Sequence, residues 1–196
     1  MSASSGNSRT VPSAITNEIF LRHFFEDQWP RALIAGFPGD PRKAGDANWT
    51  AYPATMLPSE ARQRELNMYF CPSLVRGTRR VIGGFISLHV LVIDDYGTKV
   101  PAGMPEKILG ILPTYVLETS PGNYQAGWKI HPPLTDLAWT KGMLARLRDV
   151  LGAGDNLTDP VIWRRLPVGI NGKHGTWPTD LGPGPVPGPG PGPVVS

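Results

Sequence analysis

Two adjacent carboxylates, Asp94 and Asp95, end the run of residues 87–93 (SLHVLVI), which is rich in branched apolar side chains. Oxygen ligands of this kind suit a hard divalent cation such as magnesium or manganese. An ion held between carboxylates and phosphate oxygens stabilises the charge that develops when a phosphoryl group is transferred. A third carboxylate, Asp159, lies just before the last apolar stretch, residues 162–166. If that stretch pairs beside residues 87–93, the three acids can share two ions. Adjacent Asp residues after a strand also serve as ordinary turn formers. Successive strand side chains point to opposite faces, so Asp94 and Asp95 converge only where the strand ends or bulges between them. Gly97 permits such a break.

Two further polar segments accompany the acids. Residues 118–125 (ETSPGNYQ) read as a tight hairpin turn. In a functional reading, amides around Ser120 and Gly122 and the side chains of Asn123 and Gln125 grip a triphosphate. Residues 158–173 (TDPVIWRRLPVGINGK) carry Arg164 and Arg165, whose forked donors match phosphate, and Asn171 and Lys173 on a glycine-containing loop open to a polyanion. The plainer reading of this segment is a solvated basic strand and turn. His89 sits within the apolar strand and reads as a packed core residue rather than a proton carrier, and His174 falls on a loop.

The elements that must position these groups follow from periodicity. Residues 17–29 predict an amphipathic helix capped by Thr16, and residues 134–151 a second, ended by the glycines of 152–154. Short strands are expected at 32–37, 67–72, 87–93, 114–118, 124–130 and 162–166, with one helical turn at 105–109. The order predicts a mixed α+β domain with flanking helices and one largely antiparallel sheet. The chain has 196 residues and 40% hydrophobic content, which predicts one globular domain over residues 15–180. Residues 1–14 are expected to be a disordered N-terminus and 181–196, rich in Pro and Gly, a disordered tail.

Nineteen Lys and Arg against sixteen Asp and Glu give a net charge of only +3, but Arg76, Arg79 and Arg80 cluster, as do Arg146 with Arg148 and Arg164 with Arg165. Such clusters permit an anionic partner. Cys71 is the single cysteine, which excludes an internal disulfide and fits a reducing compartment. No run approaches the roughly 20 apolar residues that span a bilayer, so the expected location is cytoplasmic, without a membrane partner.

Taken together, VIDDYGTK (92–99), ETSPGNYQ and TDPVIWRRLPVGINGK resemble the archaeo-eukaryotic primase superfamily. The likeness is greatest to the catalytic domains of phage and plasmid primase-polymerases, including the replication-protein primases. It extends upstream to NMYF (67–70) and to residues 17–37, and so covers most of residues 15–178. It implies an RRM-like sheet with acids on one face, two divalent ions (Mg²⁺ or Mn²⁺), and templated synthesis of short primers from nucleoside triphosphates. Asp94, Asp95 and Asp159 are the implied metal ligands, and Ser120, Gly122, Asn123 and Gln125 the implied nucleotide contacts. Arg165, Asn171 and Lys173 are the expected phosphate or template contacts. The superfamily's first motif usually spaces its acids by one residue where here they are contiguous, and Gln125 stands where many relatives use His.

The resulting expectation is a DNA primase or primase-polymerase of phage or plasmid replication. Its partners are single-stranded DNA template, nucleoside triphosphates and a separate replicative helicase. The alternative is a catalytically inactive nucleic-acid-binding replication module or a truncated fragment. A metal-dependent nuclease ranks third, since no His pair stands near the acids.

Overall fold

The computed structural model describes residues 15–173 and the backbone of 177–178. The expected N-terminal disorder, the Pro/Gly tail and His174 lie outside the described residues. The chain begins with helix α1 (Asn17–Phe25), followed by strand β1 (Leu33–Phe37), strand β2 (Tyr52–Pro53), the short helix α2 (Glu60–Gln63), β3 (Asn67–Phe70) and β4 (Ser73–Val75). The long strand β5 (Phe85–Tyr96), helix α3 (Met104–Leu109), β6 (Tyr115–Ser120), β7 (Asn123–Leu134) and helix α4 (Leu137–Leu151) come next. The two-residue strands β8 (Arg164–Arg165), β9 (Ile170–Asn171) and β10 (Trp177–Pro178) complete the described elements.

The α+β class and antiparallel pairing match expectation, but the strands divide into two four-stranded sheets rather than one. The first has the order β2-β1-β3-β8 and the second β4-β5-β7-β6, while β9 and β10 form a separate ribbon. Only Cys71 and Pro72 separate β3 from β4, so the chain passes from one sheet to the other in two residues.

Strand β5 is apolar on consecutive residues because both of its faces are covered. Val90 and Val92 pack into a core with Phe20, Leu21, Phe24 and Phe25 of α1 and with Ile34, Met68 and Phe70 of the first sheet. Leu91 and Ile93 face the other way, against Trp128 of β7 and Leu144, Leu147 and Leu151 of α4. Burying one such side chain contributes about 1.5–3 kcal/mol, so these two layers hold the end of β5 firmly. His89 is buried on this strand, hydrogen-bonded through Nε2 to the Ser87 hydroxyl (2.9 Å) and packed on Phe25, as a core histidine should be.

The helix ends follow local chemistry. Thr16 caps α1 by accepting from the Ile19 N–H (3.1 Å). The helix stops at Phe25, short of the expected Trp29, because Glu26 adopts φ 50° and the chain tightens into a 3-10 turn over Glu26–Arg31 that contains Pro30. Asp136 caps α4 through the Trp139 N–H (2.9 Å), and Gly152 ends it in the left-handed region at φ 63°. The helix starts at Leu137 rather than 134 because residues up to Leu134 still belong to β7.

Candidate active site

A cleft of about 820 Å³ opens between the two sheets, and the ends of β5, β6 and β7 form one of its walls. The acids arrive there through a bulge. Asp94 pairs with Gln125 of β7 and Tyr96 with Tyr124, and the register slips between them so that Asp95 is left over. Asp95 has φ 56°, a left-handed conformation rare outside glycine. Strict alternation would send Asp95 to the α4 face; the bulge re-aims it, and both carboxylates line the cleft. Both side chains are about one-third exposed, at 32% and 34%.

Each acid already has a cation beside it. Arg164, almost completely buried, pairs with Asp94 through Nη1 and donates to the Asn156 carbonyl through Nη2 (3.1 Å). Asn156 also donates to the same Asp94 oxygen, Oδ2, at 3.4 Å. Lys99 donates to Asp95 Oδ2 at 2.8 Å, and that hydrogen bond, together with the charge of Asp95, holds the Lys99 ammonium pKa above its ordinary value.

Asp159 does not join them. The expectation that it would do so required β8 to lie beside β5, but β8 pairs with β3 in the first sheet. Asp159 instead accepts from the Val161 N–H (3.0 Å) and faces Arg80 at 3.8 Å, where it helps to shape the turn into β8. Among the described residues no three acidic, His or Cys side chains gather to hold a metal.

The triphosphate candidates divide in the same way. Ser120 and Asn123 close the β6–β7 hairpin and line the cleft, and Asn123 Oδ1 accepts from the Thr98 hydroxyl (3.0 Å). Gly122 holds the turn at φ 71°, but its N–H donates to Glu118 (2.8 Å) and the residue is not part of the cleft wall. Gln125 reaches the cleft yet is fully buried, and every bond it makes is structural. Its Nε2 donates to the Tyr115 hydroxyl (2.8 Å) and the Arg165 carbonyl (3.1 Å), while its Oε1 accepts from the Arg165 N–H (3.0 Å). Gln125 thereby fastens β7 of the second sheet to β8 of the first.

Arg165 is similarly committed. Its guanidinium donates to the Ile170 carbonyl (2.7 Å) and to Asn171 Oδ1 (2.8 Å) and lies 4.7 Å from the centre of the Tyr69 ring. Burial lowers its pKa from the usual arginine value. Asn171 in turn donates to the Thr119 carbonyl and accepts from the Lys173 N–H (3.2 Å). Lys173 lies exposed on the rim, and its carbonyl accepts from Arg42 (2.9 Å). The loop before it passes so close to Gly39 that a Cβ on Gly172 would come within 2.1 Å of the Gly39 carbonyl oxygen.

Residues that line the cleft without being among the predicted contacts include Arg42, Trp49, Tyr69, Arg80, Lys99 and Trp163. Arg80 belongs to a basic cluster visible in the sequence, and Tyr69 to the NMYF segment. Nothing in the local pattern marks Trp49 or Arg42, whose approach depends on how residues 38–50 fold back.

The family model of the RepB DNA-primase N-terminal domain matches residues 31–185. Among solved structures, the primase-polymerase (PrimPol) AEP domain of cyanophage S-2L superposes with a TM-score of 0.60 at 17% identity, covering 86% of this chain and 90% of that one. The primase RepB′ superposes with a TM-score of 0.54 at 16% identity, covering 85% of this chain and 55% of that one. At these identities the superpositions establish a shared fold. No curated protein sequence matches the chain.

Proposed function

Since the chain belongs to the RepB DNA-primase N-terminal domain family, we propose that its cleft performs metal-dependent, templated nucleotidyl transfer, making short primers on single-stranded DNA during phage or plasmid replication. The observation that carries this reading is the bulge at Asp95, which turns two contiguous carboxylates into one site facing a cleft rimmed by Lys99 and Lys173.

The donor set fits one hard cation. Magnesium keeps several of its waters and takes one or two carboxylates together with substrate phosphates, and Asp94 and Asp95 are such a pair. Both Asp94 hydrogen bonds fall on Oδ2, so Oδ1 remains to serve as a ligand. A two-ion site built on three acids does not fit, because Asp159 is held by Val161 and Arg80. When bound, Mg²⁺ or Mn²⁺ neutralises phosphate charge and favours ionisation of the attacking hydroxyl.

The chain's own residues position the reactants. In the reaction a 3′-hydroxyl oxygen bonds to the α-phosphorus of the incoming nucleotide and pyrophosphate leaves. Ser120, Asn123, Lys99 and Lys173 are the polar groups that face the triphosphate. Gln125, Arg165 and Asn171, saturated by internal bonds, keep the wall rigid behind them, so their part is to preorganise the site. The reading places the reaction in the cytoplasm, with a replicative helicase as a separate partner. No helix among the described residues is long and apolar enough to cross a membrane.

The test is primer synthesis by the native chain on single-stranded DNA with nucleoside triphosphates, with Mg²⁺, Mn²⁺ or EDTA. Product with either metal and none with EDTA is expected. Absence of product with both metals contradicts the enzymatic reading and, if the chain still binds the template, leaves a non-catalytic binding module.

A further inference from the structure

The loop between β4 and β5, residues 76–84 (RGTRRVIGG), carries three arginines and no acid. Arg76 and Arg79 are exposed, and although their backbones bond within the loop, neither side chain makes a hydrogen bond or ion pair among the described residues. Arg146 on α4 is likewise exposed and unpaired among the described residues, but it stands singly on its helix, and four other arginines are each held by an acid. Arg22 pairs with Glu18 at 2.8 Å, Arg42 with Asp40 at 2.8 Å, Arg62 with Glu65 at 2.5 Å and Arg148 with Asp149 at 2.6 Å. Two uncompensated guanidinium groups on one short loop are an anion-binding feature that the fold itself does not use.

The same loop exposes Val81 and Ile82, at 47% and 40%. It also leads into the cleft: Arg80 lines the wall, donates to the Val161 carbonyl (2.8 Å) and lies 5.2 Å from the centre of the Trp163 ring, which lines the cleft beside it. Free cations, exposed apolar side chains and a part-exposed indole therefore follow one another from the loop tip to the cavity that holds Asp94 and Asp95. Single-stranded nucleic acid has the matching alternation, phosphates to be neutralised and unstacked bases whose faces seek aromatic or apolar contact. Duplex DNA hides its base faces, which leaves the apolar part of the strip unmatched.

We propose that the β4–β5 loop is the entry track for the single-stranded template, with Arg76 and Arg79 on its phosphates and Trp163 against a base where the strand turns into the cleft. This rests on the primase reading for the identity of the strand, but it is tested without catalysis. The measurement is fluorescence anisotropy of a labelled single-stranded oligonucleotide with the full chain in EDTA, without nucleotides, across a range of salt concentrations.

Replacing both residues (Arg76→Ala, Arg79→Ala) is expected to weaken binding roughly 10-fold. It should also reduce the slope of log K against log salt by about 1.4, two phosphate contacts at about 0.7 each on a single strand. Trp163→Leu should weaken binding severalfold while leaving the slope unchanged. Removing the same charge elsewhere (Arg22→Ala, Arg62→Ala) should change neither quantity. Native affinity and slope in the loop variant, or an equal loss in the Arg22 and Arg62 control, overturns the proposal. So does a loop variant that loses only its attachment to anionic phospholipid vesicles. Loop-dependent binding by a chain that makes no primer would defeat the enzymatic reading and leave the track standing. Primer synthesis by a chain whose binding ignores the loop would do the reverse.

Discussion

The two walls of the cleft are built on opposite plans. The second sheet contributes it through twelve-residue strands, β5 and β7, whose ends rise beyond their packing and leave Asp94, Asp95 and Asn123 partly exposed. The first sheet contributes through the two-residue strand β8, where Arg164 and Arg165 are buried and bonded on several sides. Length and burial hold the first wall steady and let its tips stay open for chemistry. The second wall lacks length, so it is held by side chains that bond to each other. Polar residues of the same type thus stand open to the cleft on one wall and serve as structure on the other.

Substitutions should separate these roles. On the open wall, Asp94→Ala or Asp95→Ala is expected to cut primer synthesis by about 100-fold or more, since ion-mediated charge stabilisation is worth several kcal/mol, while thermal unfolding changes little for Asp95→Ala. Where β7 is fastened to the committed wall the balance reverses. Gln125→Leu leaves the Tyr115 hydroxyl and the Arg165 N–H and carbonyl without their partner in the interior, and should lower stability in denaturant titration by roughly 1–3 kcal/mol. Gln125→Leu with native stability and abolished synthesis would show that this amide touches substrate after all.

A smaller effect comes from His89, outside the cleft. Burial lowers its pKa below the ordinary histidine value, so the unfolded chain binds this proton more readily than the folded one. Its contribution is present above the unfolded pKa, about 6.5, and is lost as pH falls toward the lowered folded value. The melting temperature should drop between pH 7.5 and 5.5, and His89→Gln should flatten that dependence. Least of all, Cys71, whose buried thiol pKa is pushed up to about 12, should resist thiol reagents until the chain is unfolded, as a colorimetric thiol assay would read.

The sequence revealed the open wall far better than the committed one. An apolar run that is buried on both faces and ends in acid is a local pattern, and so are the Gly122 turn and the α4 period with its Gly152 stop. Even the need for a bulge between Asp94 and Asp95 follows from alternation alone. The partner of β8 is not local: two residues carry no periodicity, and whether they join β5 or β3 depends on the bend at Cys71 and Pro72. Asp159 was misplaced for that reason. The internal commitments of Gln125, Arg165 and Asn171 were hidden likewise, because their partners lie on other strands or on loops brought together only in the folded chain.

In the proposed reaction Asp94 and Asp95, gathered by the bulge, hold the catalytic ion without Asp159. Titration of Mn²⁺ followed by the electron paramagnetic resonance of the free ion tests it most directly, on the native chain and on Asp94→Ala, Asp95→Ala and Asp159→Ala. Weakened binding is expected in the first two variants and native affinity in the third. Native affinity in both Asp94→Ala and Asp95→Ala, or loss of the ion in Asp159→Ala with the fold intact, would contradict it.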